Sequence, residues 1–241
     1  MSAPDLAGRD ACVFDAYGTL LDLNSAVRAE SAQLGERAAE ELGALWRRKQ
    51  LEYAWLRSLM RRHADFWQVT AEALEFSLAT LGRSGDEALR ARLLAAYRRL
   101  APYPEVPAVL RRLKVRGVRT AILSNGSPGM LEDAVAAAGL SGLVDQVLSV
   151  EEVAVFKPAP EVYHLATRRL GVPAAEIVFL SSNGWDVHGA AAFGFRAVWV
   201  NRARAEGERL PGAPVAVAGS LAELPRLLGL AGGDNDGLGH A

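Results

Sequence analysis

Five short runs of aliphatic and β-branched residues punctuate the chain, at 11–17 (ACVFDAY), 119–125 (RTAILSN), 146–150 (QVLSV), 176–182 (EIVFLSS) and 196–201 (RAVWVN). They lack the in–out alternation of a half-exposed strand, which is the pattern of strands buried on both faces. Amphipathic stretches at 104–116, 128–139, 160–171 and 186–193 lie between successive runs, each just before or after a strand. Strand followed by helix, repeated, predicts an α/β fold with a parallel sheet wound by helices on both sides. In such a sheet ligands bind outside the carboxyl ends of the strands.

The alternation fails once. From Ser25 to about Leu100 no strand is predicted; Ala, Leu, Glu and Arg dominate, and Leu42, Leu45, Leu56 and Leu59 fall near one helical stripe. Ser84-Gly85 reads as a turn between helices, and Pro102, Pro104 and Pro107 mark the return to the sheet. The expected organisation is therefore an α/β core over 1–23 and 101–231, an inserted all-helical cap over 24–100, and a flexible Gly/Asp-rich tail over 232–241. An insert after the first strand overhangs the carboxyl edge of the sheet. At 241 residues, half of them hydrophobic, the chain can bury a substantial core. Twenty-seven basic against 28 acidic residues give no reason to expect a nucleic-acid partner. The apolar runs are too short for a membrane span, and the N-terminus lacks the pattern of a secretory signal. A single cysteine, Cys12, permits no intramolecular disulfide and fits a cytoplasmic setting.

Polar residues gather where the predicted strands end: Asp15, then Ser124-Asn125-Gly126, then Lys157-Pro158 after the third strand, then Ser181-Ser182-Asn183 with Asp186. Each has an ordinary structural explanation. Asp15 can brace its own turn, Ser-Asn-Gly is a good turn, Lys157 can be a solvated loop lysine, and Asp186 can serve a helix dipole. Convergence of all four on one sheet edge points instead to a site.

These residues resemble the four motifs of the haloacid dehalogenase superfamily. Within it, the segments DAYGTLLD, ALWRRKQLEYAWLRSLM, AILSNGSPGML, VFKPAPEVY and SSNGWDVHGA resemble the L-2-haloacid dehalogenases over nearly the whole chain. The resemblance implies a Rossmann-like core with a helical cap and hydrolysis of 2-haloalkanoic acids. Two positions depart from the phosphatase branch of the superfamily. Tyr17 stands where a phosphatase carries the aspartate that protonates its leaving alkoxide. Ser182 stands where an acidic residue would help hold magnesium. A halide leaves unprotonated, so carbon–halogen cleavage without metal or cofactor is expected.

The resemblance further implies roles for individual residues. Asp15 is the nucleophile and Lys157 its counter-ion. Thr19, Ser181, Asn183 and Asp186 order Lys157 and the hydrolytic water, with Asp186 assisting that water. Ser124 and the backbone N–H groups of Ala16 and Tyr17 bind the substrate carboxylate. Arg47 and Asn125 receive the halide. Tyr17, Leu51, Phe66 and Trp185 wall the pocket, and Tyr163 lies near the site. Arg47, Leu51 and Trp55 recur every four residues, so the arginine heads a partly apolar face; by composition alone it is a solvated helix residue, as Phe66 is simply a core aromatic. Arg48 stands where relatives carry a shorter neutral side chain. His63, His164 and His240 read as surface or tail residues, and His188 as a residue outside the reaction or at most behind it. The competing readings are a fluoroacetate-preferring member of the same family, a phosphate-monoester hydrolase of the same fold, and a binding protein that has lost catalysis. The implied partners are the haloalkanoate, a halide product and a second copy of the chain in a homodimer.

Overall fold

The computed structural model of the protein describes residues 6–230. The predicted tail 232–241, with His240, lies outside the described residues. Six parallel strands form one sheet: β1 (Ala11–Phe14), β2 (Arg119–Ser124), β3 (Gln146–Ser149), β4 (Ile177–Ser181), β5 (Arg196–Val200) and β6 (Ala216–Ala218), in the spatial order β3-β2-β1-β4-β5-β6. The five predicted runs are the first five strands. The sixth was not predicted: three residues at the sheet edge, with Val217 exposed, are too few to carry a pattern.

The unalternated apolar runs are buried as expected. All four residues of β1 and all five of β4 are buried, because helices cover both faces. Helices α6 (Val106–Val115), α7 (Pro128–Ala137), α8 (Pro160–Leu170), α9 (Gly184–Phe193) and the short α10 (Leu224–Leu227) belong to this layer. Phe14 pairs with Ile122 on one side and Leu180 on the other. The residues one or two places beyond these, Asp15, Ser124 and Ser181, therefore reach one edge together. The strand order reverses between β1 and β4, and such a switch point leaves a crevice at the carboxyl ends.

The stretch between β1 and β2 is helical, as predicted. It holds α1 (Asn24–Arg28), α2 (Ser31–Leu34), α3 (Glu36–Met60), α4 (Phe66–Thr80) and α5 (Glu87–Tyr97). Asp65 and Asp86 cap α4 and α5, accepting the N–H groups of Gln68 and Leu89. Helix α3, at about 1.5 Å per residue some 38 Å long, spans the cap. Its buried stripe is not the predicted leucine stripe. Ala39, Leu42, Trp46, Gln50 and Ala54 face inward. Of the four leucines only Leu42 is buried; Leu45 is half-buried, and Leu56 and Leu59 are 44% and 80% exposed. Spacing alone favoured leucine, but the inward face is set by what α4 and α5 offer: Trp46 Nε1 donates to the Thr70 carbonyl (2.8 Å), and Gln50 Nε2 to Thr70 Oγ1 (2.6 Å).

Two linkers join the cap to the core. They run side by side, Asp22 N–H donating to the Ala101 carbonyl and Tyr103 N–H to that of Leu20. A seam of aromatic rings closes the junction: Tyr17 of the core stacks on Tyr97 (centroids 5.4 Å apart) and touches Phe66 (6.2 Å), and Phe66 meets Phe156 (5.7 Å).

Candidate active site

After β1 the chain leaves the sheet at Asp15, whose N–H still donates to the Leu180 carbonyl (2.9 Å). The turn that follows depends on Gly18, whose φ of +89° is costly for any residue with a Cβ. That turn brings Thr19 back over Asp15. Asp15 Oδ2 accepts from Thr19 Oγ1 (3.1 Å) and Asn183 Nδ2 (2.9 Å), and Oδ1 accepts from Lys157 Nζ (3.1 Å). Asp15 is buried, as are Thr19, Lys157, Ser181 and Asp186.

Lys157 follows β3 and precedes a cis proline bond to Pro158. Its N–H donates to Asn125 Oδ1 (3.0 Å), and its carbonyl accepts from Trp55 Nε1 (3.1 Å) in the cap. The ammonium also donates to Asp186 Oδ2 (2.9 Å), so it bridges two carboxylates. Burial pulls the Lys157 pKa down; the two carboxylates outweigh this and hold it above the ordinary lysine value. Burial pushes the Asp186 pKa up against the pull of Lys157, and Asp15 adds to the rise.

Asp186 lies in the first turn of α9, where the helix dipole favours an anion. Its Oδ1 accepts from Tyr163 OH (2.8 Å). Helix α9 approaches this closely because residue 189 is glycine: a Cβ there would sit 2.6 Å from both Pro158 Cβ and Tyr163 OH. Asn183 precedes α9 as its N-cap but does not cap it. Its amide serves the site instead, donating to Asp15 and to the Tyr17 carbonyl (3.3 Å) while Oδ1 accepts from Arg47 Nη2 (3.2 Å). Arg47 is also held by Gln50 Oε1 (2.8 Å) and retains unused donors.

All the predicted strand-end residues thus converge. Thr19 and Asn183 direct their hydrogen bonds to Asp15, where the sequence reading had them ordering Lys157. Ser181 Oγ accepts from Asn183 N–H (3.2 Å), and Ser124 Oγ from Gly126 N–H (3.1 Å). The N–H groups of Ala16 and Tyr17 donate to no other described residue. Arg47, Leu51 and Trp55 line a cleft of about 1300 Å³ between cap and core, which Asn183 also borders. Trp185 meets Trp55 edge-on (5.3 Å). Tyr163 is fully buried behind Asp186 and supports that carboxylate. The Tyr17 hydroxyl is buried without a hydrogen-bond partner among the described residues, and burial raises its pKa well above the ordinary range.

Sequence reasoning missed Gln50, Tyr97 and Trp55 as parts of the site. Gln50 stands one helical turn after Arg47, so an i,i+3 scan finds it; Tyr97 carries no local signal. His63 proves half-buried, its Nε2 2.8 Å from Glu151 Oε2. His188 contacts the Leu210 carbonyl through Nδ1 and none of the reacting groups.

A family model described as haloacid dehalogenase-like hydrolase matches residues 9–194. (S)-2-haloacid dehalogenase 1 from Pseudomonas sp. (strain CBS-3) is 49% identical over 218 residues, covering 90% of this chain and 96% of that one. A crystal structure of a dehalogenase with intermediate complex superposes with a TM-score of 0.90 at 44% identity, covering 92% and 98% of the two chains. The L-2-haloacid dehalogenase from Xanthobacter autotrophicus with chloropropionic acid covalently bound gives a TM-score of 0.84 at 42% identity, over 93% and 100%. The chain belongs to the haloacid dehalogenase-like hydrolases and, among them, to the (S)-2-haloacid dehalogenase family.

Proposed function

We propose that this protein hydrolyses L-2-haloalkanoic acids to D-2-hydroxy acids by nucleophilic catalysis. The carrying observation is a buried carboxylate, Asp15, at the sheet's switch point, with an ammonium on one oxygen and two neutral donors on the other. A carboxylate oxygen of Asp15 attacks C2 opposite the halogen, forming an ester bond as the carbon–halogen bond breaks and halide leaves with the electron pair. Water then adds to the ester carbonyl carbon. The bond between the ester's carbonyl carbon and its bridging oxygen breaks, that oxygen takes one proton of the added water, the hydroxy acid departs with inverted C2, and Asp15 is restored as a carboxylate. Asp186, held by Lys157 and Tyr163, takes the other proton of that water and releases it to solvent. The N–H groups of Ala16 and Tyr17, with Ser124, bind the substrate carboxylate. Arg47 and Asn125 stabilise the leaving halide, and Tyr17, Leu51, Phe66 and Trp185 exclude bulk water. Metal is not required: the carboxylates of the site already share an ammonium, and Tyr17 and Ser182 add only neutral oxygens to them.

One turnover with excess enzyme and L-2-chloropropionate in heavy-oxygen water tests the scheme. Label enters Asp15, and lactate from that turnover is largely unlabelled; label appearing first in lactate rejects the ester. The setting we propose is the cytoplasm, and the assembly a homodimer that covers the exposed Leu56, Leu59 and Met60 of α3. Leu59→Glu is then expected to halve the mass measured by light scattering.

A further inference from the structure

The cleft is far larger than a halopropionate needs, and it carries a cation that the reaction does not use. Arg48 lines it beside Arg47. Its neighbours' charges are taken: Lys49 pairs with Glu52 (2.9 Å), Arg47 is held by Gln50 and Asn183, and Arg28 pairs with Asp22. Arg48 makes no hydrogen bond or ion pair with any described residue. It projects from the stretch of α3 whose Arg47, Leu51 and Trp55 also line the cleft. A free guanidinium at that place recognises a carboxylate, by a fork of two parallel N–H···O bonds.

We infer that Arg48 selects 2-haloacids bearing a second, distal carboxylate, so that the substrate class extends to L-2-halodicarboxylates. The inference rests on the dehalogenase reading above: the first carboxylate goes to the Ala16–Tyr17 turn and C2 to Asp15, which lie behind Asn183 at the border of the cleft, and the chain runs past Asn183 toward Arg48. The same face of α3 limits the reach. Glu40 lines the cleft two turns before Arg48, about 12 Å along the axis, and repels an anion that overshoots. Activity is therefore expected to peak at an intermediate spacer and fall for longer ones.

The test compares L-2-chlorosuccinate, L-2-chloroglutarate and L-2-chloroadipate with monocarboxylates of matched length, in the wild-type enzyme and in Arg48→Gln and Arg48→Glu. Because Arg48 is exposed, neither substitution disturbs the core. The dicarboxylate-to-monocarboxylate ratio of kcat/KM is expected to fall about three- to tenfold in Arg48→Gln, the range of a partly solvated ion pair. It falls further in Arg48→Glu, and the wild-type ratio shrinks as salt is raised. Turnover of L-2-chloropropionate stays at the wild-type level. A ratio that neither variant changes overturns the inference. So does an equal loss on every substrate, which would make Arg48 a structural part of the cap. Failure of the wild-type enzyme on L-2-chloropropionate itself rejects the dehalogenase reading and this inference with it.

Discussion

The carboxyl edge of the sheet and the inner face of the cap meet through Asn183, which bonds Asp15 and Arg47 and borders the cleft, and the two hold charge under opposite physical conditions. At the sheet edge Asp15, Lys157 and Asp186 are buried, and each has at least one charged hydrogen-bond partner. On the cap Arg47 is half-buried and bonded to the neutral amides of Gln50 and Asn183, and Arg48 beside it has no hydrogen bond or ion pair among the described residues. Charges withdrawn from water must be fully paired, and their geometry is then rigid. Charges at a wet seam can stay unpaired and wait for a ligand. The core is thus suited to holding a nucleophile in one orientation, and the cap to receiving what arrives and departs.

The comparison is sharpest at Asp15. Asp15→Asn is expected to lower halide release by about four orders of magnitude or more, while Lys157 keeps Asp186 as partner and the thermal midpoint changes little. An ion-selective electrode and a melting curve measure both. Lys157→Met tests whether the buried cluster is structural as well as chemical: stranding two carboxylates is expected to cost about 3–5 kcal/mol in denaturant unfolding. The same residue sets a pH dependence. Its pKa is raised on folding, so its contribution to stability is fully present below 10.5 and is lost as pH rises through the higher folded value. The melting temperature of the wild-type protein should drop across that window more steeply than that of Lys157→Met.

Arg47→Lys probes the cap side. A compact ammonium loses the guanidinium's fork, so kcat/KM is expected to fall about a hundredfold while stability stays within about 0.5 kcal/mol. A large loss of stability would mean that Arg47 belongs to the rigid half of the site. The smallest effect on turnover is expected for Tyr163→Phe, which removes the hydroxyl shared between the Oδ1 and the carbonyl of Asp186 and costs about 1 kcal/mol of stability. Accumulation of the ester in this variant, seen by mass spectrometry of the quenched enzyme, would place the loss in the hydrolytic step.

Legibility in the sequence follows the same division. The residues of the sheet edge could be found because strand ends in a parallel sheet converge whatever the details of packing, so Asp15, Lys157 and Asp186 stand out by position. Within the cap the helices were legible and their orientation was not. The leucine pattern suggested one buried face of α3, and the actual face holds Trp46 and Gln50, chosen by hydrogen bonds to Thr70 from another helix. Tyr97 enters the site only because α5 packs where it does, and β6 is too short to announce itself.

From its sequence alone this chain is determined to be an α/β protein with a helical insert and a carboxylate–ammonium site at the sheet edge. Periodicity and chain order suffice for that, since buried strands must be apolar and their ends must meet. Which oxygen of Asp15 faces Lys157, that Asn183 abandons its helix to serve Asp15, and that Arg48 is left without a partner among the described residues were decided by the tertiary structure. Hydrogen bonding in a crowded interior is a competition among neighbours, and the neighbours come from segments far apart in the chain.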